Sequence, residues 1–283
     1  MANDQKERGH KETKMSEPWK GVIQTPGESR TKKPRNMGIT MVIDKGLGLR
    51  SLEDLIQVSG EYIDVIKLTF GTSALYDKNL LKKKNKMITS ANIDVMPGGT
   101  FLEVAVWQGV LDKYLERAKD LEFSAIEVSD GTIEMDRATR KDVIKKSLKS
   151  GFKVITEVGK KDPKEVLPLR LTQQLIREDM ENGAFKVIIE AREVGKGVGV
   201  FDSEGKIKMD EVENIVSGIE DANCLIWEAP LKNQQQDFIL RFGPNVNLGN
   251  IPPEEVLALE ALRQGFRGDT LKRAYLKRKR WQK

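Results

Sequence analysis

Thr40-Met41-Val42-Ile43-Asp44-Lys45-Gly46 decides the fold: a β-branched apolar run that ends in an acid, a base and a glycine. A continuous apolar run of this length belongs to a strand buried on both faces, as in parallel sheets covered by helices. The same design returns in VIKLTFGT (65–72), IEVSDGT (126–132), VITEVGKKD (154–162), VIIEAR (187–192) and LIWEAP (225–230). Each run delivers polar residues at its C-terminal end. Strands are therefore expected at residues 38–44, 63–67, 93–96, 125–129, 153–157, 185–190, 224–228 and 245–248, with amphipathic helical segments between them. Eight strand-helix pairs in about 235 residues fit the α/β class and a single closed (β/α)8 TIM barrel, for which roughly 250 residues is typical. An open doubly wound sheet is the alternative.

Helix punctuation agrees with this order. Ser51, with Asp54 three residues on, nearly matches a capping box and is expected to start the first helix after a loop at 44–50. Asp136 is placed to cap a basic helix that stops at Gly151, and Pro252 and Pro253 suit the first turn of the last barrel helix.

The chain of 283 residues carries a formal charge of +5, but the excess is terminal. Residues 269–283 hold seven Lys/Arg and one acid, and residues 1–33 hold eight and five. Of 48 basic and 43 acidic residues, 33 and 37 remain in 34–268. We read 1–33 as a polar, disordered extension, 34–268 as the barrel, and 269–283 as a basic C-terminal tail, a solvated helix or a frayed end. A slightly acidic body argues against a nucleic-acid partner. No segment approaches the roughly 20 apolar residues that cross a bilayer, so no membrane partner is expected. The single Cys224 lies in a buried-strand pattern and cannot form an internal disulfide, which fits a cytoplasmic, reducing location. Assembly as a homo-oligomer is also expected.

The only histidine is His10, in the polar N-terminal stretch. That argues against Ser-His-Asp and Cys-His mechanisms and against histidine-built zinc sites, and leaves acid-base work to lysine or carboxylate. The strand-end acids are Asp44, Glu127, Asp130, Glu157, Glu190 and Glu228. Carboxylates brought together repel each other unless cations neutralise them, either lysine and arginine or a hard metal with oxygen ligands such as Mg²⁺. Lys160 and Lys161 follow Gly159 directly after the fifth strand, and one of them is the expected general acid. Glycine-rich turns at Gly98-Gly99, at residues 195–199 and at Asn247-Leu248-Gly249-Asn250 could expose backbone N–H groups as a phosphate cradle. The turn at 195–199 lacks the context of a dinucleotide fingerprint.

Six segments carry a family resemblance: TMVIDKGLGLRSLEDL (40–55), GTSALY (71–76), PGGT (97–100), IEVSDGTIE (126–134), EVGKKDP (157–163) and RFGPNVNLGNI (241–251). They resemble phosphosulfolactate synthase, over roughly residues 34–270. One departure falls in strand 2, where Lys67-Leu68-Thr69-Phe70-Gly71 stands in place of the Lys-Phe-Gly-Trp-Gly expected of relatives. It changes one wall of the pocket and keeps Lys67 and Gly71.

The resemblance implies a carbon-sulfur lyase with phosphoenolpyruvate and sulfite as partners. The family reaction is Mg²⁺-dependent addition of sulfite to phosphoenolpyruvate, giving (2R)-phospho-3-sulfolactate for coenzyme M biosynthesis or sulfolactate formation. It places the proton donor in EVGKKD, with Lys160 preferred to Lys161. To this we add our own expectations. Asp44, Glu127, Asp130 and Glu157 form the pool of metal ligands. Lys45, Lys67 and Arg192 bind the anionic groups, and Gly98, Gly99, Asn247, Gly249 and Asn250 hold phosphate. Two alternatives stand beside this reading: another Mg²⁺-dependent lyase or aldolase on a phosphorylated carboxylate, or a non-catalytic, stress-associated barrel relative. The Asp44-Lys45 pair and EVGKKD argue for catalysis.

Overall fold

The computed structural model describes residues 18–162, 164–192 and 194–281. Its eight strands are β1 (Thr40–Asp44), β2 (Val65–Leu68), β3 (Asp94–Pro97), β4 (Ala125–Val128), β5 (Lys153–Val158), β6 (Lys186–Ile189), β7 (Leu225–Glu228) and β8 (Leu248–Ile251). They form one sheet in the order β3-β2-β1-β8-β7-β6-β5-β4. Every ladder is parallel. The two remaining edges meet through a serine. Val95 N–H donates to Ser124 Oγ at 2.9 Å, Ser124 Oγ donates to Asp94 at 2.9 Å, and Ser124 N–H donates to the Val95 carbonyl at 3.1 Å. The chain is thus the expected (β/α)8 barrel.

Helices α1 (Leu49–Ser59), α2 (Lys78–Ser90), α3 (Gly99–Trp107), α4 (Leu111–Asp120), α5 (Arg137–Lys149), α6 (Leu169–Glu181), α7 (Met209–Ser217), α8 (Lys232–Phe242), α9 (Val256–Arg263) and α10 (Gly268–Trp281) surround it. Strand side chains alternate between two apolar sets. Val42, Ile66, Val95, Ile126, Val187 and Leu225 pack outward in the large core shared with the helices. Met41, Val65, Met96, Ala125, Ile155, Ile188 and Ile226 fill the barrel interior. Each fully buried aliphatic side chain contributes roughly 1.5–3 kcal/mol, and the inner set also makes a dry floor for whatever stands two residues further along each strand.

Three sequence expectations shift. Strand β8 begins at Leu248 and not at 245, because Asn247 works below it: its side chain accepts from Ile39 N–H at 2.9 Å and donates to the Asn223 and Leu225 carbonyls at 2.8 Å. The first helix starts at Leu49 and Gly48 takes the cap position, so Ser51 lies inside the helix. The preceding turn is already closed by Asp44, whose Oδ1 accepts from Gly46 and Leu47 N–H at 2.8 Å, and no serine cap is needed. The N-terminal extension does not run free to residue 33. Gly27 N–H donates to the Gln264 carbonyl at 3.0 Å, Arg30 pairs with Glu260 at 3.2 Å, and Thr31 N–H donates to Asn245 at 3.0 Å. Residues 1–17 lie outside the described residues.

The expected cap on the fifth helix is present. Asp136 accepts from Thr139 N–H at 2.7 Å and caps α5, whose chain leaves through Gly151 at φ 82°. The basic tail forms α10, tied down by Thr270 Oγ to the Leu262 carbonyl at 2.8 Å and by Arg273 to the Leu240 carbonyl. Among the described residues, no helix is long and apolar enough to cross a membrane.

The serine seam is testable. Ser124→Ala strands the N–H of fully buried Val95 and should destabilise the fold by about 1–3 kcal/mol in urea unfolding. An unchanged midpoint would remove Ser124 from the closure.

Candidate active site

Two residues beyond the inner apolar layer the lumen turns ionic. Lys67 follows Val65, Glu127 follows Ala125, Glu157 follows Ile155, Glu190 follows Ile188 and Glu228 follows Ile226. Period-2 alternation therefore aims all five side chains up the barrel axis, into a cavity of about 630 Å³ at the C-terminal strand ends. The Lys67 ammonium donates to Glu127 at 3.1 Å, Glu228 at 3.2 Å and Glu157 at 3.3 Å. Lys161 donates to Glu157 at 2.6 Å and to Glu190 at 2.9 Å. Backbone groups hold the acids from behind, Ala191 N–H on Glu228 at 2.9 Å and Arg192 N–H on Glu190 at 2.6 Å. One oxygen of Glu127 is buried with no partner.

Four buried glutamates thus face two lysines, and the imbalance appears in their acidity. Burial, reinforced by Glu157 against the pull of Lys67, raises the Glu127 carboxyl to about 8. Burial and the neighbouring Glu157 and Glu228 push Glu190 well above the carboxylate range. In Glu157, burial is outweighed by Lys161 and Lys67, which hold it well below that range. Both lysines are held protonated, since the carboxylates outweigh the burial that disfavours their charge. Oxygens of Glu157, Glu190 and Glu228 lie within 4.8 Å of one another, a spacing that could hold a metal ion.

The loops shape the rest of the cavity. Gly98 and Gly99 open α3 onto it, and a Cβ on Gly99 would sit 2.7 Å from the Ser129 side chain and 2.9 Å from Glu127. Glycine is required there for the helix N-terminus to approach the acids. Glu103 of α3 accepts from Ser129 Oγ and, at 2.8 Å each, from Thr132 and Ile133 N–H, which clamps the loop after β4 to α3. A Cβ on Gly159 would stand 2.6 Å from that of Glu190, so glycine also lets the chain turn toward Lys161. Strand β8 carries one extra residue against β1, pairing Thr40 with Leu248 but Val42 with Ile251. That bulge puts Asn250 at φ 54° on the cavity wall, where its buried Oδ1 has no partner.

Of the residues given a catalytic, binding or metal role from the sequence, Lys67, Gly98, Gly99, Glu127, Glu157, Lys161, Arg192 and Asn250 line this cavity. The others do not. Asp44 is turned to Lys84 at 2.6 Å and fixes its own loop. Asp130 pairs with Arg140 at 3.0 Å, and Lys160 donates to the Asp130 carbonyl at 2.8 Å. Lys45 is exposed beside the Phe70 ring, 5.8 Å from its centroid. Asn247 serves the opposite end of the barrel, and Gly249 lies inside β8, where a Cβ would meet Met41 at 2.6 Å. The turn at 195–199 is also not part of the lining; Gly195 wraps the Gln234 side chain.

Glu190 and Glu228 were legible as strand-end acids but stood outside the expected ligand set, although each repeats the Ile-x-Glu step of Glu157. Thr69 and Phe70, in the segment that departs from the family pattern, form part of the wall. Glu103 left one trace in the sequence, an acid in the otherwise apolar GTFLEVAVW.

A parallel barrel with a buried, charge-dense pocket at its C-terminal strand ends is the architecture of a barrel enzyme. Residues 28–269 match the (2R)-phospho-3-sulfolactate synthase (ComA) family, and the chain belongs to that family. It is 46% identical over 235 residues to phosphosulfolactate synthase of Methanocaldococcus jannaschii, covering 82% of this chain and 93% of that protein. To the enzyme of Methanothermobacter thermautotrophicus it is 43% identical over 244 residues, covering 86% and 94%. Among solved structures, 3-hexulose-6-phosphate synthase from Salmonella typhimurium superposes with a TM-score of 0.51 at 14% identity over 79% of this chain and 97% of that one, a likeness of fold alone.

The raised Glu127 carboxyl gives a pH prediction for metal-free protein. Its folded value, about 8, exceeds its unfolded one, so folding takes up a proton between the two. Stability should therefore fall as pH rises through that window, by on the order of 1 kcal/mol per pH unit, and level off above it. Glu127→Gln should flatten this slope in chemical unfolding followed in EDTA from acid to mildly alkaline pH. An unaltered slope would mean that folding leaves the proton affinity of Glu127 unchanged.

Proposed function

We propose that the cavity joins sulfite to phosphoenolpyruvate with Mg²⁺, yielding (2R)-phospho-3-sulfolactate. The observation that carries this reading is the charge of the pocket. Four buried glutamates meet only two lysines, so Glu127 and Glu190 favour their protonated forms; a divalent cation can take the place of those protons and stand beside the negative charge of both substrates. Glu157, Glu190 and Glu228 would hold it, since they offer the hard oxygen donors that Mg²⁺ takes. When bound, Mg²⁺ supplies electrostatic stabilisation of negative charge on the substrate carboxylate.

The side chains do the remainder. Sulfite is a good nucleophile without activation, which suits a cavity with no histidine, serine or cysteine among its described lining residues. Its sulfur lone pair forms the C–S bond at the methylene carbon, and the double-bond electrons move into the carboxylate as an enediolate-like dianion. Lys67, protonated and central, faces that developing charge. The first turn of α3 at Gly99-Thr100 offers N–H groups to the phosphate, and Arg192 at the rim attracts sulfite. Lys161 then gives its proton to the second carbon, and delivery from one side of the cavity sets the R configuration. Glu157 and Glu190 keep Lys161 charged until that step, and neutralising these two acids is what loosens the proton. Lys161 takes this role in place of Lys160 because only Lys161 lines the cavity.

Sulfite consumption dependent on phosphoenolpyruvate tests the assignment. Lys161→Met should lower turnover by about 100-fold or more while phosphoenolpyruvate still binds, and Lys160→Met should stay within about tenfold of wild type. The reverse ranking would return the proton donor to Lys160. Without sulfite, phosphoenolpyruvate should remain intact; its consumption would favour the lyase or aldolase alternative.

Activity should vanish after EDTA treatment and return with Mg²⁺. Glu228→Gln should raise the Mg²⁺ concentration for half-maximal rate by about tenfold or more. Indifference to EDTA would refute the metal role.

A further inference from the structure

A second cavity, of about 340 Å³, lies beneath α10 and is lined by Glu28, Arg263, Arg273, Lys277 and Arg278 among others. It sits at the opposite end of the barrel from the acids. Arg263, 2% exposed, donates to the carbonyls of Ile39, Pro244 and Val246, which precede β1 and β8. Those partners are neutral, and the Nε of Arg263 has none. Glu260, one turn earlier on α9, is engaged by Arg30 at 3.2 Å, and one terminal nitrogen of Arg30 is likewise buried without a partner. A guanidinium buried without a carboxylate is an uncompensated charge, which burial and the adjacent Arg30 reflect by lowering its pKa to about 9.

The lining adds to the excess. Arg273 projects from α10 about one turn before the adjacent Lys277 and Arg278, and Glu28 is the lining's one carboxylate, paired with Lys277 at 3.0 Å. We propose that this cavity is a second anion site, which takes a small dianionic oxyanion of the phosphate or phosphate-ester class. Its size is at the small end of ligand pockets, and Glu28 is exposed at its mouth, where an extended polyanion would meet repulsion. The basic C-terminal run, which the active site does not use, thereby acquires a role. An anion held there would tie α10 and the N-terminal arm to the barrel.

Inorganic phosphate is the first probe, with sodium chloride at equal ionic strength as the control. Millimolar phosphate should raise the unfolding temperature of the full chain by about 2 °C or more over chloride. The Arg273→Glu/Arg278→Glu double variant should lose that shift and keep its turnover. Phosphoenolpyruvate distinguishes the sources: a shift from it that the double variant retains belongs to the catalytic cavity, and the part that is lost belongs here. No shift beyond chloride in the wild type, or an equal shift in the double variant, would overturn the proposal.

Should the double variant fold poorly, Glu28→Gln gives the opposite sign. Removing the one opposing carboxylate should tighten phosphate binding by about threefold in calorimetry, and unchanged or weaker binding would also overturn the site.

Discussion

One ammonium group organises the catalytic end of this barrel. Lys67, rooted in β2, reaches across the lumen to acids on β4, β5 and β7 at 3.1 to 3.3 Å, and so ties β2 to three strands that are not its neighbours in the sheet. Burying charges costs several kcal/mol per ion, and a single lysine cannot offset three carboxylates. Lys161 brings a second cation and serves Glu157 and Glu190. The cluster still carries more acid than base. Glu127 and Glu190 answer that imbalance by favouring their protonated forms, and the proposed divalent cation would relieve it in their place.

The cluster is maintained by what lies beneath it. Val65, Ala125, Ile155, Ile188 and Ile226 close the barrel two residues below the ionic layer and keep water from rising through the lumen. The interior is thus an apolar plug with a charged upper layer. The N-terminal end is built differently. There Ser124 closes the seam, Asn247 substitutes for missing ladder bonds, and Arg263 gathers three carbonyls. These contacts are structural, in keeping with the usual division of barrels into a catalytic face and a stabilising one.

Much of this architecture could be read in the chain because period and burial leave plain marks. Continuous apolar runs ending in polar residues placed seven strands within a few residues of their observed bounds, and the turn glycines near Gly98 and Gly159 stood where loops meet the acids. The eighth strand was placed three residues early, at 245–248 where the structure has Leu248–Ile251. A one-residue bulge turns Asn250 into the cavity, whereas Asn247 serves the other end of the barrel. No local pattern encodes such a bulge. Asp44, Asp130 and Lys160 were attractive for the same reason as Glu157: each is a charged residue at a strand end. Their partners come from distant elements, Lys84 for Asp44 and Arg140 for Asp130, and such pairings are invisible without the fold. Family resemblance identified the family, while which of two adjacent lysines lines the cavity required three dimensions.

Crystals of the full chain grown with Mn²⁺ in place of Mg²⁺, with diffraction recorded on either side of the manganese edge, test the central claim most directly. The account predicts an anomalous peak in the lumen bounded by the carboxylates of Glu157, Glu190 and Glu228, with the Lys67 ammonium alongside. A peak held instead by Asp44 or Asp130, or a cavity without one at saturating Mn²⁺, would contradict it.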